Sequence, residues 1–294
     1  MTYEPTQKGN PHALTVDQHV IPKASIKRFC GIDGRVELVT NRHGRRIFVP
    51  PKNSIFCVRR LWDERAENGY QKRIEDRFQR IVDAILNERI FDFDADAEEA
   101  LGEFYLLWRY RGIAKQAPFD DARLNIERPA RNLSVDSQER LERGHVGFIR
   151  PDSTIPSRMI NGFQIQRYID MAMGTLSKRR WGILKAIEGE FLVPDFPGDH
   201  AVIPVTPTIV FAIDDVNRYL SRCDVALTNL IGIHNSKDFV FARCLTKCPI
   251  ACPPTTLRFH KNFFISSLES LGIYSWSEGS VLTAVGVAVD WLGI

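Results

Sequence analysis

The chain lacks any long apolar run. No stretch reaches the roughly 18 to 20 apolar residues that a membrane-spanning helix needs. The nearest approach, "GSVLTAVGVAVDWLGI", is too short and is interrupted by Asp290, so it reads as a buried strand or helix. An excess of either charge is also missing. Lys and Arg number 39 against 36 Asp and Glu, a net of +3 over 294 residues. That balance is too even for a general electrostatic attraction to nucleic acid, and leaves room only for local basic patches. The opening "MTYEPTQKGNPHAL" has no apolar core and no cleavage-like pattern, so no signal peptide is expected. The expected compartment is therefore the cytoplasm, where the six cysteines are expected as thiols. A Walker loop, a Gly-rich dinucleotide fingerprint, a Gly-x-Ser-x-Gly elbow and a His-Glu-x-x-His pair are all absent. No nicotinamide or flavin cofactor is indicated, and a serine-hydrolase mechanism has no support.

What remains is an ordinary globular composition, 44% apolar and 26% charged, long enough to bury a substantial core. Residues 1–16 are polar, with Pro5 and Pro11, and read as a loose arm. "RVELVT" and "RIFVPP" flank a Gly-containing turn, which predicts a β-hairpin. Over 72–90 the spacing turns helical: Ile74, Phe78, Ile81, Val82, Ile85 and Leu86 make one stripe, with Glu75 on its edge. "DADAEEALGEFYLLWRYRGIA" predicts a second helix, acidic at its start and apolar on most sides. Residues 116–153 are polar and broken by proline, and are expected as an exposed insertion with a short helix at "DSQERLERG". A third helix follows, with Thr154 as cap and Pro156 in its first turn. Four short β-like runs come next: "RWGILKAIE", "EFLVPD", "AVIPVTP" and "TIVFAI". Residues 215–243 are expected to return to helix. This order does not alternate as a doubly wound fold would, and predicts an α+β single domain over 17–294. An N-terminal hairpin, central helices and a second β-rich segment packed on helices compose it.

Several motifs, in order, resemble one family. "HVIPKASIKRF" carries a His-x-x-Pro start at His19 and an aromatic-basic end. Ile74-Glu75 supplies an Ile-Glu pair. Trp181 precedes "EFLVPDFP", which places Asp195 and Pro197. "IPVTP" follows, and then Asn229 ahead of "DFVFAR". The chain is identified on these residues, over roughly 17–243, as similar to the bacterial and phage domain of unknown function 4238. One departure is Pro194, where the family usually has a serine. The resemblance implies a bacterial or phage setting, with a role in conflict between the two, and locates a site without fixing its chemistry.

His19, Glu75 and Asp195 come from distant parts of the chain, and the expectation is that they converge. A His and two carboxylates can ligate a divalent metal, or act as base, acid and orienter. Lys23 would hold a phosphate or developing negative charge, and Asn229 would orient substrate or water. The expected function is a metal-assisted hydrolase acting on nucleic acid or nucleotides, such as a nuclease effector. The alternatives are a metal-independent group transferase of ADP-ribosyl type, with Glu75 catalytic, and a non-catalytic ligand-sensing module. A plainer role is open to each residue. His19 would cap a corner, Glu75 would pair with an arginine, Asp195 would bind backbone amides, and Asn229 would tie helix packing together. Basic clusters at "VRRLWDER" and "KRR" are solvated faces or, with the nearby Trp, a single-strand binding patch. Cys244, Cys248, Cys252 and His260 have the wrong spacing for a zinc knuckle, and no zinc is expected there.

Overall fold

The computed structural model describes residues 3–88, 92–126 and 132–251. In chain order the first elements are strand β1 (Asp17–His19), helix α1 (Lys23–Lys27), and strands β2 (Val36–Thr40), β3 (Arg46–Val49) and β4 (Cys57–Arg59). Helices α2 (Gln71–Leu86) and α3 (Ala95–Gln116), strand β5 (Ala122–Arg123), helix α4 (Val135–Arg143), strand β6 (Thr154–Ile155) and helix α5 (Ser157–Leu176) follow. Then come strands β7 (Trp181–Ala186), β8 (Val193–Pro194), β9 (Val202–Thr206), β10 (Ile209–Ile213) and β11 (Arg218–Leu220), helix α6 (Arg222–Asn235) and strand β12 (Phe239–Ala242). The class is α+β, as the element order predicts. The described residues fall into two compact units, each drawn from separated stretches. One lies within Met1–Pro22, Ser54–Arg89 and Ala95–Lys178, and the other within Lys23–Asn53, Ile90–Asp94 and Arg179–Ile294.

The first unit is helical. The predicted stripe of α2 is its buried face: Ile74, Phe78, Ile81, Val82 and Ile85 are all in the core, and only the terminal Leu86 is exposed. Phe78 stacks on Phe104 of α3, ring centroids 3.6 Å apart. Helix α3 buries five consecutive residues, Phe104 to Trp108. Such a run covers the whole helix circumference, the mark of a central helix. Thr154 is not the cap of α5; it lies in β6, paired with Arg123 of β5. The capping bond comes instead from Asp121, whose Oδ1 accepts from Ser157 N at 2.7 Å.

Two polar segments of this unit are more firmly held than their composition suggests. Helix α4, inside the polar insertion, turns Gln138, Glu139 and Glu142 inward. Glu142 Oε2 accepts from Arg60 at 2.8 Å and from Arg158 at 2.9 Å, with all three side chains almost fully buried. The N-terminal arm lies on the same helix: Gln7 donates to both oxygens of Glu139, and His12 Nε2 is 2.7 Å from Asp136 Oδ1. Polarity here marks a buried, satisfied network rather than a solvated loop, because ionised groups enter an interior only when paired.

The second unit holds two four-stranded sheets, in the orders β3-β2-β12-β8 and β11-β7-β10-β9. All pairs are antiparallel except β11 with β7. The expected hairpin is β2–β3. Helix is found over only part of 215–243. Helix α6 starts at a capping box formed by Ser221 and Asp224 and stops at Asn235, and Phe239–Ala242 is a fully buried central strand between β2 and β8. A short continuous apolar run such as "FVFA" carries no periodicity that separates strand from helix, and burial on both faces decides for strand.

Candidate functional site

The opening motif builds a corner. Pro22 biases the residue before it toward an extended path, and β1 pairs with β4, placing His19 opposite Cys57. The deeply buried member is Gln18 rather than His19. Gln18 Nε2 donates to Trp62 O at 2.7 Å, and its Oε1 accepts from Leu61 N at 2.8 Å and Trp62 N at 3.1 Å. His19 is half-buried, with Nδ1 3.6 Å from Cys57 Sγ. Ile21 packs inward, and so does Val20, since strand alternation ends with β1 at His19.

Glu75 sits at the edge of the α2 stripe and forms an ion pair with Arg111 NH1 at 2.5 Å. Arg111 is the largest charged side chain of the α3 core, 1% exposed. Its Nε donates to Gln71 Oε1 at 2.9 Å, and its guanidinium lies 5.1 Å from the Trp62 ring centre. Gln71 Nε2 donates to Tyr70 Oη at 3.0 Å, and Tyr70 donates to Gly162 O at 2.6 Å. Trp62 Nε1 donates to Glu67 Oε2 at 2.5 Å. Burial pushes the Glu67 carboxyl upward, against the opposing pull of Arg111 and Trp62. A buried chain of contacts thus runs from Glu75 through Arg111 and Gln71 to Tyr70.

Tyr70 opens onto a cleft of about 380 Å³ lined by Arg65, Asn68, Gly69, Tyr70, Arg73, His145 and Gln166. That volume is in the range of small-ligand sites. Ala66–Tyr70 forms a π-helical turn that departs from helical geometry at Gly69 (φ −101°, ψ −108°) before α2 begins. Such wide turns recur at functional sites. Arg65 Nε is buried without a hydrogen bond, and the Asp63 carboxylate lies 3.5 Å away. Among the described residues, the Arg73 and His145 side chains form no hydrogen bond or ion pair. His145 is held in the left-handed region (φ 61°) just past the end of α4. Behind Arg65, burial raises the Asp63 carboxyl to about 6, with Arg65 and the Ala66 amide opposing the shift. Helix α5 closes over Asp63 at Gly162, where an added Cβ would collide with Asp63 Oδ1.

Asp195, Asn229 and Lys23 belong to the sheet-containing unit. Asp195 accepts from two backbone amides, Lys237 N at 2.7 Å and Asp238 N at 3.0 Å, and so fixes the turn into β12. Asn229 accepts from Leu192 N and donates to Glu190 O and Pro249 O, each at 3.0 Å. Lys23 is exposed at the start of α1. Among the described residues, no three His, Cys, Asp or Glu side chains are placed to hold a metal ion. Of the cysteine cluster, Cys248 donates to Cys244 O at 3.4 Å, while Cys252 and His260 lie outside the described residues.

In the "VRRLWDER" cluster the Trp is not open for stacking. Trp62 is fully buried and Arg60 is committed to Glu142; only Arg59 and Arg65 of its arginines reach outward. The cleft was not visible as a motif. One signal pointed near it: an arginine amid the apolar residues of α3 must find buried partners, and those partners lead to Tyr70. No helix among the described residues is long and apolar enough to cross a membrane. The family model described as "Protein of unknown function (DUF4238)" matches residues 17–243. No curated protein and no solved structure matches the chain.

Proposed function

The chain belongs to the DUF4238 family, and we propose that it is a phosphoester hydrolase acting on nucleic acid or nucleotides through the cleft of the helical unit. The observation that carries this reading is the convergence of Arg65, Arg73 and His145 on one ligand-sized cleft. A guanidinium presents a planar fork that matches phosphate oxygens. The Arg65 side chain is partly exposed, and its buried Nε makes an ion pair with Asp63 at 3.5 Å without a hydrogen bond. Asn68 and Gln166 add amide groups that can orient an ester.

His145 is the cleft side chain whose ring nitrogens can both give and take a proton. In the proposed step, water adds its oxygen to phosphorus as the bond to the leaving ester oxygen breaks. His145 gives its proton to that oxygen and recovers one from the water. The two arginines meet the charge on the phosphate. A divalent cation bridging the phosphate is the other strategy for the same task, and chelation separates the two. The transferase alternative draws less support, because Glu75 is engaged by Arg111.

The test is turnover of bis(p-nitrophenyl) phosphate and of a single-stranded oligonucleotide by the full chain, with and without EDTA. His145→Asn is the informative variant, since asparagine tolerates the left-handed backbone at this position. General acid–base catalysis is worth about 10²-fold or more, so turnover is expected to fall by that factor with the melting temperature unchanged. Unchanged turnover in His145→Asn removes the residue from the mechanism. Loss on chelation replaces arginine neutralisation with metal assistance. Tight phosphate binding with no turnover of either substrate makes the protein a ligand-sensing module.

A further inference from the structure

We infer that the cleft takes a nucleotide whose base stacks on Phe163. This rests on the phosphate-binding reading above and assigns the residue that receives the base. The interior of the cleft is cationic and polar, but two large exposed apolar side chains lie close along the chain to its lining residues. Phe163 is 54% exposed and Val146 is 50% exposed. Both positions are tied to the cleft by their neighbours. Phe163 follows Gly162, whose carbonyl accepts from Tyr70, and precedes Gln166 of the cleft lining by three residues on α5. Residues three apart on a helix face the same side, with Cβ atoms about 5 to 6 Å apart. Val146 follows His145, and its backbone N is fixed to Leu141 O at 2.8 Å.

A bare phosphate would use the arginines and leave this apolar rim in water. A phosphate joined through a sugar to a planar ring uses both. The aromatic ring that the sequence offered for stacking, Trp62, is fully buried, whereas the Phe163 ring is exposed three residues before Gln166 of the cleft lining. Every base has a π-face, so a lone phenylalanine confers preference for nucleotides over other phosphates without selecting one base.

The experiment compares the dissociation constants of inorganic phosphate, ribose 5-phosphate, adenosine 5′-monophosphate, uridine 5′-monophosphate and hexyl phosphate. They are measured on the wild-type chain, Phe163→Ser and Phe163→Trp. Both nucleotides are expected to bind about tenfold or more tighter than ribose 5-phosphate. Phe163→Ser is expected to erase that difference while leaving ribose 5-phosphate binding as it was, and Phe163→Trp to restore it. Equal binding of nucleotide and ribose 5-phosphate overturns the inference while the phosphate reading stands. So does a difference that survives Phe163→Ser. Hexyl phosphate matching the nucleotides would assign the rim to an alkyl chain instead. If neither inorganic phosphate nor ribose 5-phosphate binds, the phosphate reading falls and the inference falls with it.

Discussion

Replacing Arg111 with methionine is expected to cost about 3 to 5 kcal/mol of stability. Methionine preserves much of the aliphatic volume, so the loss comes mainly from the guanidinium contacts. Gln71 is fully buried, and its Oε1, which accepts from Arg111 at 2.9 Å, is left without that donor. An orphaned buried acceptor costs about 1 to 3 kcal/mol. The cation over Trp62, 5.1 Å from the ring centre, adds about 2 kcal/mol in a desolvated setting. The ion pair with Glu75 adds the remainder, at the low end because the Glu75 side chain is 19% exposed and regains some water. Urea unfolding followed by tryptophan fluorescence reads the total. Glu75→Gln, which keeps an acceptor for the guanidinium, should cost only about 1 kcal/mol. A double-mutant cycle between the two positions should show a coupling of about 1 to 3 kcal/mol. An Arg111→Met variant within about 1 kcal/mol of wild type, or a coupling near zero, would refute the reasoning.

Asp63 carries a pH signature. Its carboxyl is raised by burial to about 6 from the ordinary value of 3.8, so the folded state holds its proton more tightly than the unfolded chain. The stability tied to that proton is complete below about 3.8 and is lost as pH rises through about 6. Asp63→Asn should therefore stabilise the protein at pH 7.5 by up to roughly 3 kcal/mol, and much less at pH 4.5; equal effects at both pH values in thermal melts would count against the buried acid. Asn229→Ala removes three buried hydrogen bonds at once and should lower stability by about 2 to 4 kcal/mol. A melting temperature unchanged by Asn229→Ala would remove its structural role.

The helices were legible where a stripe of one period ran long enough. Those of α2 and α3 follow directly from Phe78, Phe104 and their neighbours. Helix α4 was legible as an element but not in its orientation, because hydropathy cannot show that Glu139 and Glu142 face inward; their partners are Gln7, Arg60 and Arg158, each more than ten residues away. Strand β12 was hidden by its own burial, since Phe239–Ala242 faces the interior on both sides. At the candidate site, the motif residues make the bonds that follow. Asp195 and Asn229 bind backbone groups, and Glu75 binds an arginine, which are the plainer roles the sequence also allowed. The cleft itself is assembled from Arg65 and the π-helical turn, the start of α2, the end of α4 and one face of α5. Spacing along the chain carries no trace of Arg73 and His145 sharing a cavity.

The central claim is that Arg65 and Arg73 bind phosphate. Isothermal titration of the full chain with inorganic pyrophosphate tests it most directly, comparing wild type with the double variant Arg65→Gln/Arg73→Gln at matched ionic strength. The account predicts saturable binding to the wild type that weakens with salt. It predicts a loss of about 100-fold or more in the variant, from two charge-assisted contacts, with the melting temperature little changed. Equal affinity in the two proteins would contradict it.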